Sequence, residues 1–180
     1  MLRTILIYGA IAGLVVAIPM NLALAFAPDS EASTSHITGY LLMLVALSVI
    51  FLRVKRYRDR TLGGVIKFLP ALLIGLGISA VAGVIYVIGW EISLAATNHE
   101  FIDSYTQAAI AAEQAKGVSG ADLEAFIAEM EQMRVQYANP LFRLPITFIE
   151  IFPVGVLVSL ITAALLRNSR FLPARQAATD

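Results

Sequence analysis

The amino-acid sequence predicts an all-α, polytopic membrane protein: a bundle of four transmembrane helices, with an outer (extracytoplasmic) amphipathic helical hairpin between the third and fourth spans. Three observations support this expectation. The 180 residues are 58 % hydrophobic and 14 % charged, whereas soluble domains are about half apolar and about a quarter charged. The apolar residues form four long runs. The basic residues collect in the segments at one end of those runs.

Each apolar run is close to the length that crosses a bilayer, about 20 residues for about 30 Å of hydrocarbon. The second run is the shortest, but the long basic side chains at its end can extend to the headgroup layer. The third run is expected to leave the membrane near Trp90, because tryptophan favours the membrane interface. The four predicted spans are residues 4–26, 37–54, 68–96 and 144–166.

The charged segments between the spans give the chain a direction. Residues 53–67 contain six basic residues and one acid, and ten of the thirteen Lys and Arg lie on the side of this segment and the two termini. The segments 27–36 and 97–143 together contain nine acids. The positive-inside rule therefore places both termini in the cytoplasm. The expected contacts with anionic lipid are Arg53, Lys55, Arg56, Arg58 and Arg60.

Residues 97–143 are expected to form the extracytoplasmic helical insertion. One helix can run to Lys116 and stop at Gly117, and a second can begin after Ser119 and stop before Pro140. Apolar residues of the second helix repeat at helical spacing, with acids on its other face. Such an amphipathic helix covers either the top of its own bundle, a partner subunit or the lipid headgroup layer, and ordinary packing within the bundle is favoured.

Small residues four positions apart occur in three of the spans, where they allow helix backbones to approach closely in lipid. Three parallel rows indicate tight helix packing, either within one chain or between copies of it. The predicted packing residues are Gly9 and Gly13 in the first span, Gly75, Ser79 and Gly83 in the third, and Gly155 and Ser159 in the fourth.

Four polar side chains are predicted to lie in the outer half of the membrane: Asn21, His36, Glu91 and Glu150. Because ionisable groups at such depth are costly, they form a candidate polar site. Two interpretations of Glu150 stay open, since a protonated carboxyl could equally stabilise the backbone at the kink that Pro153 creates. A helical wheel places Glu150 opposite the small-residue row of its own helix.

Sequence motifs for catalysis, metal binding or cofactor binding are not found. The chain has no cysteine, which excludes a thiolate nucleophile and a Cys-ligated metal. It has no HExxH, no GxSxG and no phosphate-binding glycine loop. The group around His99 and Asp103 is best explained as an acidic helix N-terminus rather than a metal site. No cofactor is expected, and the basic segment is assigned to lipid rather than to nucleic acid.

Several stretches resemble a known family: YGAIAGL near the start, GYLLMLVALSVIFLRVKRYRDRTLGG through the second span, VIYVIGWEI in the third and IEIFPVGVLVSLITAALL in the fourth. They are similar, in the same order, to the bacterial membrane-protein family named domain of unknown function 4199. The resemblance covers nearly the whole chain and is weakest at residues 98–139. It implies an integral protein of the bacterial cytoplasmic (inner) membrane with four helices and an outer insertion, and it implies no reaction.

Three functions are compatible with these observations. The favoured one is a non-enzymatic membrane component, either a scaffold, an accessory subunit or an assembly factor, in contact with the bilayer and in a homo-oligomer or a larger complex. The alternative is a small oligomeric transporter that uses Glu150 and Glu91 as a proton or cation site. A lipid-active enzyme with Glu150 and His36 is the weakest, because no nucleophile or metal set accompanies them.

Overall fold

The structure, a computed structural model, describes residues 1–26, 36–97 and 100–174. In these ranges the chain forms seven α-helices and no strand, so the all-α prediction is confirmed. The helices are α1 (Leu2–Phe26), α2 (His36–Leu47), α3 (Val49–Thr61), α4 (Phe68–Ala96), α5 (Glu100–Ala115), α6 (Ala121–Tyr137) and α7 (Pro140–Leu166).

Four helical segments are long and apolar enough to cross a membrane, as the sequence predicts: Leu2–Ala23, Ile37–Thr61, Phe68–Ala96 and Pro140–Leu166. The third coincides with the predicted span, the first differs by two residues at its start and three at its end, and the second and fourth differ by more at one end. The second continues to Thr61 rather than ending at residue 54, because Arg and Lys sustain a helix until Gly63 and Gly64 adopt positive φ. The basic segment is therefore mostly helical.

The fourth span begins at Pro140 rather than at residue 144. Asn139 caps it, since its side-chain oxygen accepts a hydrogen bond from the Leu141 amide at 3.0 Å. Pro140 occupies the first helical position, where no amide hydrogen is needed. This earlier start brings Arg143 into the first turn of α7, with consequences for the candidate site.

The second span is formed by α2 and α3, which meet at Ser48. The backbone of Ser48 keeps helical dihedral angles, φ of −59° and ψ of −19°. Its hydroxyl donates a hydrogen bond to the carbonyl of Val45 at 2.6 Å. Residues 37–61 thus form one candidate span, which continues seven residues beyond the predicted 37–54.

Helix α4 lies between α1 and α7 and forms most of the contacts that hold the spans together. Close approach depends on glycine on both sides of α4. A Cβ added at Gly155 of α7 would lie 2.6 Å from Ser79 Cβ, and one added at Gly75 would lie 2.7 Å from Ser159 Cβ. A Cβ at Gly9 of α1 would lie 2.5 Å from Val81 Cβ. These separations are too short for any side chain.

Helices α5 and α6 form a hairpin between α4 and α7 and pack against each other. Within the predicted apolar row of α6, Met130 is buried and Ile127 is 39 % exposed. The N-cap of α6 is Gly120, with φ of 64°, and not Ser119 as the sequence suggests. Positive φ favours glycine at this turn.

Arg58 corrects one of the predicted lipid contacts. Its side chain is completely buried, and its guanidinium donates hydrogen bonds to the carbonyls of Phe171 (2.9 Å) and Leu172 (2.5 Å) and to the Asp59 carboxylate (2.7 Å). It thus fastens the segment after α7 to α3. Because its donors are directed into the protein, Arg58 is not a lipid-contacting residue.

Candidate functional site

One of the polar candidate residues, Glu91, lies where the hairpin meets the spans. Five side chains meet there, and we call them the hairpin joint. Two come from the end of α4, one from each hairpin helix, and one from the first turn of α7. They are Trp90, Glu91, Phe101, Tyr137 and Arg143.

Glu91 and Arg143 form the centre of the hairpin joint. The Arg143 Nε donates to Glu91 Oε1 at 2.7 Å and its Nη2 donates to Glu91 Oε2 at 2.7 Å, so the pair is bidentate. The Arg143 side chain is 5 % exposed, whereas that of Glu91 is 32 % exposed. Bidentate arginine–carboxylate pairs are strong and geometrically specific. The pair therefore fixes the rotation of α4 and α7 about their own axes relative to each other.

The same arginine extends the contact to the hairpin. Its Nη1 donates to the Tyr137 carbonyl at 3.0 Å, and its Cζ lies 5.7 Å from the centroid of the Tyr137 ring. The Tyr137 hydroxyl accepts a hydrogen bond from Trp90 Nε1 at 2.6 Å. Burial raises the pKa of the Tyr137 phenol, which keeps it neutral. Phe101 of α5 stands edge-on to Trp90, with centroids 4.7 Å apart.

Asn21 belongs to a different contact, between α1 and α4. Its side-chain amide donates to the carbonyls of Ala17 (2.8 Å) and Gly89 (3.3 Å), and its oxygen accepts a hydrogen bond from the Ser93 hydroxyl. Both ends of the amide are thereby used to join two helices. Asn21 acts here as a polar link between spans, of the kind that holds membrane helices together.

Glu150 lies on the exposed side of α7, ten residues after Pro140 and therefore about 15 Å along the helix axis from it. It is exposed, and Tyr86 of α4, which is 3 % exposed, donates its hydroxyl to Glu150 Oε2 at 3.1 Å. Leu157 and Ile161 on the same side are about half exposed, while Gly155 and Ser159 are buried. The separation of Glu150 from the small-residue row follows the helical wheel.

The described candidate residues have different hydrogen-bond partners. Glu91 is bonded to Arg143 and Glu150 to Tyr86, both at the contact between α4 and α7, whereas Asn21 is bonded to Ser93 at the contact between α1 and α4. Tyr86 and Glu91 are five residues apart on α4, or about 7.5 Å along its axis. The side chain of His36 lies outside what the structure describes, so its part in the predicted site stays a prediction.

The sequence analysis missed Arg143 and Tyr86, the partners of the two carboxylates. Arg143 was counted with the hairpin because the fourth span was predicted to begin one residue after it. The Asn139–Pro140 pair, a helix-start signal, could have placed Arg143 inside α7 and at the depth of Glu91. Tyr86 had no such signal, since a tyrosine within an apolar run is ordinary.

Two open surface cavities lie in the described part of the chain. One is an apolar groove of about 470 Å³ between α4 and α7, lined by residues such as Val84, Ile88, Leu144 and Phe148. The other, of about 530 Å³, lies beside Lys55, Asp59 and Arg60. Neither is lined by the predicted polar residues. Among the described residues there is no group of three or more His, Cys, Asp and Glu placed to hold a metal.

Comparisons with known proteins give one match. A family model described as "Protein of unknown function (DUF4199)" matches residues 7–168. No curated protein and no solved structure matches the chain. The matched range includes most of the first candidate span, the other three spans and the hairpin joint.

Proposed function

Starting from a chain that belongs to the DUF4199 family, we propose that the protein is a non-enzymatic component of the bacterial cytoplasmic membrane. Its role is that of a scaffold, accessory or assembly subunit. Both termini lie in the cytoplasm and the α5–α6 hairpin lies outside. The hairpin is the part that a partner protein contacts.

The observation that carries this proposal is the hairpin joint. Its ionisable groups are used in fixed contacts: Arg143 bonds both carboxylate oxygens of Glu91 and also the backbone of Tyr137. A catalytic or transport site needs polar groups that converge on a cavity open to its substrate. The joint instead uses them to hold a surface hairpin at a set orientation, which suits a subunit that presents a docking surface.

The exposed surface of the hairpin supports the same role. The exposed acids of α6 include Asp122 and Glu129 on one side of the helix and Glu124 and Glu131 on the opposite side. Val135, near the end of the helix, is 65 % exposed and lies one turn after Glu131. An exposed apolar side chain on a helix with exposed carboxylates is a suitable contact for a partner whose surface is basic around an apolar centre.

Cysteine labelling tests the orientation directly, because the natural chain has no cysteine. Glu124→Cys and Arg170→Cys each place one thiol at an exposed position, in α6 and after α7 respectively. In intact cells a membrane-impermeant maleimide should label only the α6 variant, and permeabilised cells should label both. Labelling of the Arg170→Cys variant in intact cells contradicts the proposed orientation.

Crosslinking tests the role as a subunit. A photoreactive amino acid at Val135 should give a defined protein adduct in native membranes, while the same group at Leu172, 49 % exposed after α7, serves as the matched control. A particle that is monomeric in mild detergent, together with no protein adduct at Val135, would contradict the proposal.

One observation favours transport as a second candidate function. Glu150 is exposed on an otherwise apolar side of α7 and is bonded to a buried tyrosine. Intramembrane carboxylates often carry protons or cations, and an oligomer could enclose this one. If so, Glu150→Gln abolishes proton- or cation-dependent flux in liposomes. Flux equal to that of the natural protein, or no flux with either, contradicts this function.

A further inference from the structure

Helix α3 ends in a row of three arginines on one face. Arg53, Arg56 and Arg60 are spaced three and four residues apart, which places them within about 60° of one another around the helix. We call them the arginine row. Arg56 and Arg60 are exposed, and Arg53 is half-buried beside α1.

The one acid of this segment is already occupied by other basic residues. The Asp59 carboxylate forms ion pairs with Lys55 Nζ at 2.5 Å and with Arg58 Nε at 2.7 Å. Lys55 and Arg58 lie on the opposite side of helix α3 from the arginine row. In the described part of the chain no ion pair joins Arg53, Arg56 or Arg60 to a carboxylate, so the row carries three positive charges without a protein counter-ion.

Arg53 is held in place by two aromatic rings. Its Cζ lies 5.4 Å from the centroid of Tyr57 and 5.8 Å from that of Tyr8 on α1. Its Nε is buried and has no hydrogen-bond partner among the described residues. Because Arg53 as a whole is only half-buried, its terminal amino groups are the donors left for a ligand outside the protein, and guanidinium donors match the geometry of a phosphate group.

We propose that the arginine row binds the phosphate of an anionic phospholipid, with Arg53 as the fixed donor and Arg56 as the second. Leu52, directly before Arg53, is 62 % exposed, as expected of a residue that faces acyl chains. Tyr8 and Tyr57 are of the type that collects at the headgroup level. A lipid satisfies both the apolar and the basic side of this surface, whereas free phosphate satisfies only the basic side.

The lipid site rests on the proposed membrane residence but not on the scaffold role or on the hairpin. Its test can therefore fail while the labelling and crosslinking experiments succeed, and the reverse. The proposed site contains fewer residues than the five lipid contacts predicted from sequence. Arg58 is not part of it because its side chain is buried, and Lys55 is not part of it because its ammonium is bonded to Asp59.

Native mass spectrometry of the purified full chain tests the site. The probe is dioleoyl phosphatidylglycerol, dioleoyl phosphatidylcholine is the zwitterionic reference, and inorganic phosphate is the competitor. The natural protein should retain phosphatidylglycerol in preference to phosphatidylcholine. Arg53→Gln should weaken that binding at least about fivefold, the value expected for one basic residue at a lipid surface.

Two controls make the test specific. Arg170→Gln removes an equal charge from an exposed position after α7 and should change binding less than about twofold. Tyr8→Phe keeps the ring over Arg53 and should bind normally, while Tyr8→Leu removes the cation–π contact and should weaken binding about two- to fivefold. An unchanged emission spectrum of Trp90, the single tryptophan, shows that each variant is folded.

Three results would overturn the proposal. The first is equal retention of the two lipids by the natural protein. The second is an equal loss of binding in Arg53→Gln and Arg170→Gln, which would indicate attraction by overall charge. The third is displacement of phosphatidylglycerol by millimolar inorganic phosphate, which would identify free phosphate as the ligand.

Discussion

Replacing Glu91 with leucine should loosen the hairpin by leaving the Arg143 guanidinium without its counter-ion. Breaking a buried ion pair costs about 3–5 kcal/mol. The Arg143 side chain is 5 % exposed but that of Glu91 is 32 % exposed, so water can partly compensate. We therefore expect a loss of about 2–3 kcal/mol, which lowers Tm by about 4–12 °C in a chain of this size.

The double variant separates the charge from the packing. Arg143→Met alone should cost about 1–2 kcal/mol, since the remaining Glu91 is nearer to water. Glu91→Leu with Arg143→Met should come within about 1 kcal/mol of the natural protein, because apolar side chains can replace a buried ion pair at little cost. The double-variant cycle thus has a coupling energy of about 2 kcal/mol or more.

Trp90 gives a direct measurement of the same event. It is the one tryptophan, it is 8 % exposed, and it contacts both hairpin helices through Phe101 and Tyr137. Its emission should shift in Glu91→Leu below the temperature of global unfolding. Tyr137→Phe is the control, since it removes only the hydrogen bond to Trp90. Losses that simply add in the double variant would refute the role of the ion pair.

Two further changes test the packing of the spans. Gly155→Leu should destabilise the protein by about 1–3 kcal/mol or more, because its Cβ would clash with Ser79, whereas Gly39→Leu, with open space around it, should leave Tm nearly unchanged. Arg58→Met should release the segment after α7 and accelerate tryptic cleavage there several-fold, while Arg56→Met, an exposed neighbour, should not. Equal Tm in both glycine variants, or equal cleavage in both arginine variants, contradicts these assignments.

The long helices could be predicted from sequence because apolar run length reports directly on helices that cross a bilayer. The hairpin turns at Gly117 and Gly120 were also near their predicted places, since glycine at positive φ is a local signal. The hydrogen bond of the Ser48 hydroxyl to the preceding turn could not be predicted, because sequence does not specify the side-chain conformation of a serine within an apolar helix.

The sequence indicates which polar residues lie within or near the spans but not how they pair. It predicts one site for four of them because each would be costly in lipid. Pairing depends on rotation about each helix axis and on the exact start of α7. A shift of that start from residue 144 to Pro140 moves Arg143 beside Glu91 and changes a candidate site into a joint. The length and hydropathy of an apolar run give no information about the rotation of its helix.

Helix α4 packs between α1 and α7, but α7 is synthesised last of the three. The ribosome completes α1 and α4 well before α7, and α5 and α6 are made in between. The face of α4 that contains Gly75 and Ser79 therefore enters the bilayer before its partner exists, and Glu91 precedes Arg143 by 52 positions. Until α7 arrives, the nascent protein exposes an open helix groove and an acid without its arginine. Those two features are what a membrane chaperone or protease could use to distinguish the unfinished chain from the finished one.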